Sequence, residues 1–236
     1  MSGGLARLGL SRCTFALAWS RDDDALTKST AKAVARPIVS NGAAGRVAIV
    51  EQTGEIATGQ LLIATQPGRG GYFDRSVILL VDHRTEGTVG LCLNVGPPVP
   101  AESLVHDLGP HLRPLSDVWE GGPVSSEAVI VLGELATPGA APPGWARVLG
   151  EVGVVDVQFP IELLDSSFAQ LRAFAGVSSW APGQLESELL RGAWFRAWGQ
   201  SEDVFGHPDQ LWRRVLRRMG GATGRWSTWT EEPEQN

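Results

Sequence analysis

Residues 76–95 read SVILLVDHRTEGTVGLCLNV, and the fold turns on how that stretch is read. Its first half, SVILLVDH (76–83), is a continuous run of β-branched and leucine residues. Such a run is expected in a central strand that is dry on both faces. The second half, EGTVGLCLNV (86–95), opens at Gly87 and runs into GPPVP (96–100). Pro97 and Pro98 cannot donate to a ladder, so the strand is expected to close there. Upstream, GQLLIATQ (59–66) reads as another strand followed by turn residues. Three strands with brief connections are expected to pair antiparallel, because parallel neighbours need a crossover of about a dozen residues or more.

Between the first two strands lies GRGGYFDRS (68–76). A glycine-rich loop after a strand is where phosphates are often cradled, but the phosphate loop needs a Lys-Ser/Thr pair and the dinucleotide fingerprint needs a helix. Here Phe73-Asp74-Arg75-Ser76 leads straight into a strand. The glycines are therefore read as serving a tight connection with positive φ.

Further along, ESLVHDLGPHL (102–112) reads as a short helix, and Gly121-Gly122-Pro123 breaks the chain before the strand AVIVLG (128–133). VGVVDVQ (152–158) and AWFRAW (193–198) read as strands, and PGQLESELLRGAW (182–194) as a helix with Leu185, Leu189 and Leu190 on one side. PIELLDSSFAQLRAFAG (160–176) is ambiguous: Leu164, Phe168, Leu171 and Phe174 fall near helical spacing although AQLRAFA alternates, and periodicity favours one helix. HPDQLWRRVLRRMGG (207–221) is the clearest helix. Its apolar stripe is Leu211, Trp212, Val215, Leu216 and Met219, with Arg213, Arg214, Arg217 and Arg218 opposite. Those arginines are expected to be a solvated face paired with acids such as Glu186 and Glu188.

Composition sets outer limits. The chain has 236 residues with Lys+Arg 20 against Asp+Glu 26, a net charge of −6, which disfavours a dedicated nucleic-acid binder. It has two cysteines, Cys13 and Cys92. Cys92, in an apolar run, is expected as a buried free thiol in a reduced, cytoplasmic protein. No stretch has the length of a signal peptide core or the roughly 20 apolar residues of a membrane span. Residues 1–45 are expected to form a disordered N-terminal tail, 46–221 a single domain, and 222–236 a C-terminal tail.

The segments LLIATQPG, FDRSVILLVDH, EGTVGLCLN, WEGGPV and FAGVSSWAPGQLESELLRGAW, in that order between Gly59 and Gly221, resemble the AlgH/YqgE family of bacterial proteins. The resemblance implies an α+β fold: a mostly antiparallel, bifurcated β-sheet curled into a pseudo-barrel with a few flanking helices. It also implies that LRAFAG (171–176) is a strand, against the periodicity. In function it implies a regulatory or binding role, with no enzyme activity firmly attached. The chain departs from the family pattern at Gly70-Gly71-Tyr72, where Asp-Pro usually precedes the phenylalanine. Val95-Gly96-Pro97 stands where a basic residue and proline usually follow the asparagine. Gly133 stands where many members carry histidine, and GVSSW replaces an aromatic-containing turn.

The candidate ligand or partner surface is Phe73, Asp74, Arg75, Asn94, Gly121, Gly122, Pro123, Trp180 and Gln184, drawn from the loops around 67–76, 94–98, 119–125 and 176–184. Each has a plainer reading beside the functional one. Asn94 at a strand end commonly fixes a turn through backbone hydrogen bonds; Gly121 and Gly122 answer a local backbone demand; Trp180, Trp194 and Trp198 pack the core or a cleft beside it. A metal-dependent hydrolase or nuclease built on Asp74, Asp82 or Glu120 is the enzymatic alternative. Asp82 and His83, adjacent in a strand, point to opposite faces, and the four histidines (His83, His106, His111, His207) fall at no recognised metal spacing. No Gly-x-Ser-x-Gly elbow is present. No catalytic residue, metal or cofactor is assigned, and the expected partner is another protein or a small ligand. DNA contact through the basic final helix is the remaining alternative.

Overall fold

The computed structural model describes residues 54–65, 67–68, 70–100, 108–156 and 159–230, all within the unit Lys32–Asn236. The expected N-terminal tail, residues 1–45, lies outside the described residues.

Three strands, β1 (Gln60–Ala64), β2 (Val77–Arg84) and β3 (Gly87–Cys92), form the antiparallel meander the apolar runs imply. Leu61 stands opposite Leu79, and Leu79 opposite Leu91. Both faces are buried: Leu61 and Ile63 point one way, Leu62 and Ala64 the other, and all four are dry. That is why these strands are continuously apolar rather than alternating.

The prolines do not end the chain's pairing. Val95–Pro100 is itself a strand, β4, antiparallel to β5 (Asp117–Glu120). It is mostly exposed, and its register is irregular between Val95 and Val99. Pro97 and Pro98 occupy that irregular stretch, where no ladder donor is required of them. The expected helix over 102–112 is described only at its end, a single 3-10 turn at Gly109–His111.

The remaining strands are β6 (Val124–Leu135), β7 (Trp145–Leu149), β8 (Val152–Val155), β9 (Phe168–Trp180) and β10 (Trp194–Trp198). The main order is β10-β1-β2-β3-β9-β6-β8-β7. The sheet forks at β9: β6 lines one edge, while β3 (antiparallel, to 178–180) and β5 (parallel, to 173–175) share the other. It also curls. Gly59, at the head of β1, would place a Cβ 2.7 Å from the Val148 carbonyl of β7, and Gly199, beyond β10, lies against Leu149. The two ends of the strand order thus approach each other, giving an α+β half-barrel with a few helices.

Residues 160–176 do not form one helix. A 3-10 turn (Ile161–Leu163) and a one-turn helix α1 (Leu164–Ser167) give way to β9 at Phe168. The strand side of the ambiguity prevails because β9 has partners on both edges, and tertiary pairing overrides a weak local period. The helices α2 (Gln184–Leu190), α3 (Ser201–Phe205), α4 (Leu211–Met219) and α5 (Gly221–Gly224) follow.

Three apolar clusters result. The first, inside the curl, sets Leu61, Leu79, Leu91 and Phe174 against Val204 and Phe205 of α3 and Leu211, Trp212, Val215 and Leu216 of α4. Trp212 donates its indole N–H to the Ala64 carbonyl at 2.8 Å, pinning α4 to β1. A second, on the far side of β1–β3, joins Leu62, Ile78, Leu80 and Cys92 to Leu185 and Leu189 of α2. The third covers β6, β8 and β9 with Leu112 and Leu164. Through the first runs Arg172, fully buried. It donates to the Leu93 carbonyl at 3.1 Å and to the Val204 carbonyl, and stacks over Trp119 and Phe174 at 4.8 and 4.9 Å. Burial lowers its pKa to about 10. It remains a cation at neutral pH, solvated by carbonyls and ring faces rather than by an acid.

Candidate functional site

The glycine loop passes into β2 without a helix. Asp74 accepts the Gly68 amide at 3.0 and 3.2 Å, and Gly70, at φ 69, faces open space. Arg75 adopts φ 54, which is strained for a side chain with a Cβ. Asn94 stabilises that corner: its Oδ1 accepts the Val77 amide at 2.8 Å and its Nδ2 donates to the Arg75 carbonyl at 3.0 Å. Both ends of the Asn94 amide thus hold the entry to β2.

Gly121 and Gly122 are dictated by a close approach to β9. The Gly121 amide donates to Ala175 at 2.7 Å, and its carbonyl accepts the Cys92 amide at 2.8 Å. A Cβ on Gly121 would lie 2.4 Å from the Gly176 carbonyl oxygen, and one on Gly122 2.1 Å from the Val177 carbonyl carbon. Only glycine fits either position. Pro123 then leads directly into β6.

Phe73, Trp180 and Gln184 are brought together, with companions the sequence did not single out. The rings run in a line of edge-to-face contacts: Tyr72–Phe73 at 4.8 Å, Phe73–Trp194 at 5.9 Å, Trp194–Trp180 at 6.4 Å. At one end Glu188 of α2 accepts both indole N–H groups, from Trp180 at 3.0 Å and Trp194 at 2.8 Å, while Gln184 donates to its other oxygen at 3.1 Å. At the opposite end the Tyr72 hydroxyl donates to Glu120 at 2.7 Å. Burial, then the bond to Glu120 and its charge, push the Tyr72 phenol far above its ordinary pKa. Trp180 and Trp194 are buried, whereas Tyr72, Phe73, Glu120, Gln184 and Glu188 are half-buried. The line therefore surfaces at Tyr72–Phe73. One sequence signal was available for Glu188: Gln184 and Glu188 are four apart on α2 and so share a face. Nothing local connects Tyr72 with Trp194.

The same buried cluster holds Cys92, a free cysteine with no exposed surface. Burial pushes its thiol up to about 12, against the lesser pull of backbone N–H groups around Asn94. The Gly121 carbonyl accepts the Cys92 amide, and Trp180 packs in the same cluster as Cys92.

The carboxylates of the enzymatic alternative have separate partners: Asp74 the Gly68 amide, Asp82 the Arg84 guanidinium at 3.0 Å, Glu120 the Tyr72 hydroxyl. His83 bonds Thr88 at 2.7 Å across the β2–β3 pair. Among the described residues no group of three or more His, Cys, Asp or Glu side chains is placed to hold a metal ion. The arginines of α4 do not pair with Glu186 or Glu188. Arg213 donates to the carbonyls of Ser227 and Trp229, Arg214 to those of His207 and Asp209, and Arg218 to both oxygens of Asp203. Trp198, expected to pack, is 65% exposed. At Gly133 a Cβ would meet the Val155 and Phe168 side chains at 2.7 and 2.8 Å, so apolar groups fill the space beside it.

This architecture recurs in known proteins. A UPF0301 protein of Streptomyces coelicolor is 40% identical over 185 residues, covering 76% of this chain and 95% of its own length. One from Mycobacterium marinum is 35% identical over 172 residues, covering 70% and 83%. Among solved structures, the crystal structure of a Corynebacterium diphtheriae protein superposes with a TM-score of 0.69 at 27% identity, covering 75% of this chain and 94% of that one. The solution structure of the AlgH protein from Pseudomonas aeruginosa gives 0.53 at 23% identity, covering 72% and 93%, a likeness of fold. The AlgH-like family model matches residues 61–224, from the first strand of the meander to the end of α5, and the forked, curled sheet described above therefore belongs to a member of the AlgH-like family.

Proposed function

We propose that this protein acts by binding another protein, without chemistry of its own, in the cytoplasm, through the surface where Tyr72 and Phe73 emerge beside Glu120. The observation that carries this reading is how the candidate surface uses its polar groups. Asn94, Asp74, Gln184 and Glu188 all serve internal hydrogen bonds. The one described cysteine is a fully buried thiol that keeps its proton at neutral pH, and a nucleophile must be a thiolate. The half-buried aromatic edge next to a carboxylate remains for recognition. That combination suits an apolar or cationic side chain of a partner. The free thiol fits a reducing compartment, and among the described residues no helix is long and apolar enough to cross a membrane.

The test is affinity capture with the tagged full-length chain as bait, run in parallel with Phe73→Ser after near-UV circular dichroism has confirmed its fold. A protein enriched by the wild type and reduced about tenfold by Phe73→Ser, a change equivalent to ~1.4 kcal/mol, supports the proposal. No reproducible partner, or partners retained equally by both baits, overturns it.

A further inference from the structure

We propose that a groove beside the C-terminal turn, separate from the Tyr72–Phe73 surface, binds a small organic anion with a planar apolar body, of the aromatic carboxylate class. The groove has a volume of about 450 Å³ and runs between Phe195 of β10 and the segment carrying Thr223, Arg225, Trp226, Thr228 and Trp229. Sites for small molecules span roughly 300–1,000 Å³ and combine apolar walls with a few placed polar groups. This groove has both parts.

Its apolar walls come from Phe195, Trp226 and Trp229, and Trp226 is 41% exposed. A large ring left in water gains most when a flat apolar ligand covers it. Among the described residues that line the groove, Arg225 is the one charged side chain. Its guanidinium offers a planar fork that matches a carboxylate with two parallel hydrogen bonds. The hydroxyl of Thr223 adds a further donor, while that of Thr228 donates to the Arg225 carbonyl at 2.9 Å and holds the turn. Charge complementarity thus selects an anion in a chain whose own balance is acidic.

The walls are also held in place before any ligand arrives. Arg213 reaches out from α4 to the carbonyls of Ser227 and Trp229 at 2.6 and 2.7 Å. The Trp229 amide donates to the Trp226 carbonyl at 3.1 Å. On the Trp229 ring stands the Arg75 guanidinium, 5.9 Å from its centre. A prepared wall spares a ligand the cost of ordering it.

The experiment is an NMR titration of the ¹⁵N-labelled full chain, following the indole N–H signals of Trp226 and Trp229, each assigned with its Trp→Phe variant. The probes are indole-3-acetate, its neutral amide and plain acetate. Saturable shifts of both indoles with indole-3-acetate are expected, with affinity about tenfold weaker for the amide and for acetate. Arg225→Gln, whose remaining spectrum reports an intact fold, is expected to weaken indole-3-acetate about tenfold as well. The proposal is overturned by equal binding of the amide, which would mean stacking alone, or of acetate, which would mean charge alone. It is equally overturned by unchanged affinity in Arg225→Gln, or by no saturable shift up to the solubility limit.

Discussion

At the scale of single residues, burial decides chemistry. Cys92 belongs to the same side-chain type as catalytic thiols, yet with no exposed surface its thiol is pushed up to about 12 from an ordinary 9.0. The sign of the consequence follows from proton binding. Below about pH 9 both folded and unfolded chains keep this proton, so the contribution to stability is complete. As pH rises toward 12 the unfolded chain releases it first, and stability is lost at up to about 1.4 kcal/mol per pH unit. In a Cys13→Ser background, urea unfolding followed between about pH 8 and 10 is expected to show this alkaline decline, and Cys92→Ala to flatten it. Equal slopes for the two proteins would contradict the assignment. Asn94 carries the same lesson: its amide, which on paper could greet a ligand, is consumed at both ends by backbone of the corner at Arg75.

Elements show where local pattern and tertiary context part. The runs at 60–64, 77–84 and 87–92 are legible as strands because burial on both faces leaves an apolar signature in the residues themselves. Phe168–Trp180 is not, since its strand state depends on β3, β5 and β6 presenting edges to it. Pro97 and Pro98, read as a stop, sit in an irregular stretch of an edge strand. The Gly121–Gly122 step is a close junction between elements. Gly122→Ala is expected to cost more than about 3 kcal/mol or to abolish soluble expression, because its Cβ would strike β9 backbone rather than a movable side chain. Gly70→Ala, whose Cβ meets nothing, is expected to cost only about 1–2 kcal/mol for its positive φ. Urea midpoints of the two variants distinguish a packing requirement from a conformational one, and equal costs would refute the close-approach account.

For the whole molecule, residues 222–229 are part of the body of the fold. Of residues 222–236, expected as a tail, the described part, 222–230, begins with the rest of α5, and a 3-10 turn follows at Arg225–Thr228. Trp229 then packs on the inner cluster, its ring lying where a Cβ on Gly68 would sit 2.4 Å away. Trp229→Ala is expected to destabilise the protein by about 1–3 kcal/mol, less than a fully buried tryptophan because this ring is only half-buried. Urea denaturation checks the value, and a change under about 0.5 kcal/mol, typical of a plain surface site, would return the segment to the status of a tail. The same packing explains the arginines of α4. Arg213 is engaged with the returning chain and Arg218 with Asp203, so a face that resembles a phosphate-binding stripe in the sequence is largely spent within the molecule.

By itself, the sequence determined which segments would be dry on both faces, the inward stripe of α4, and the family likeness that implied a forked, curled sheet. The first two are written in composition and short-range period, the quantities that burial selects directly, whereas the likeness rests on matched motifs. Only the tertiary structure decided that Tyr72 reaches Glu120, that Phe73 meets Trp194, that one carboxylate on α2 ties two tryptophans together, and that the two ends of the strand order close on each other. Those meetings join residues far apart along the chain. They are fixed by strand register and by the curl of the sheet, to which no short window of residues has access.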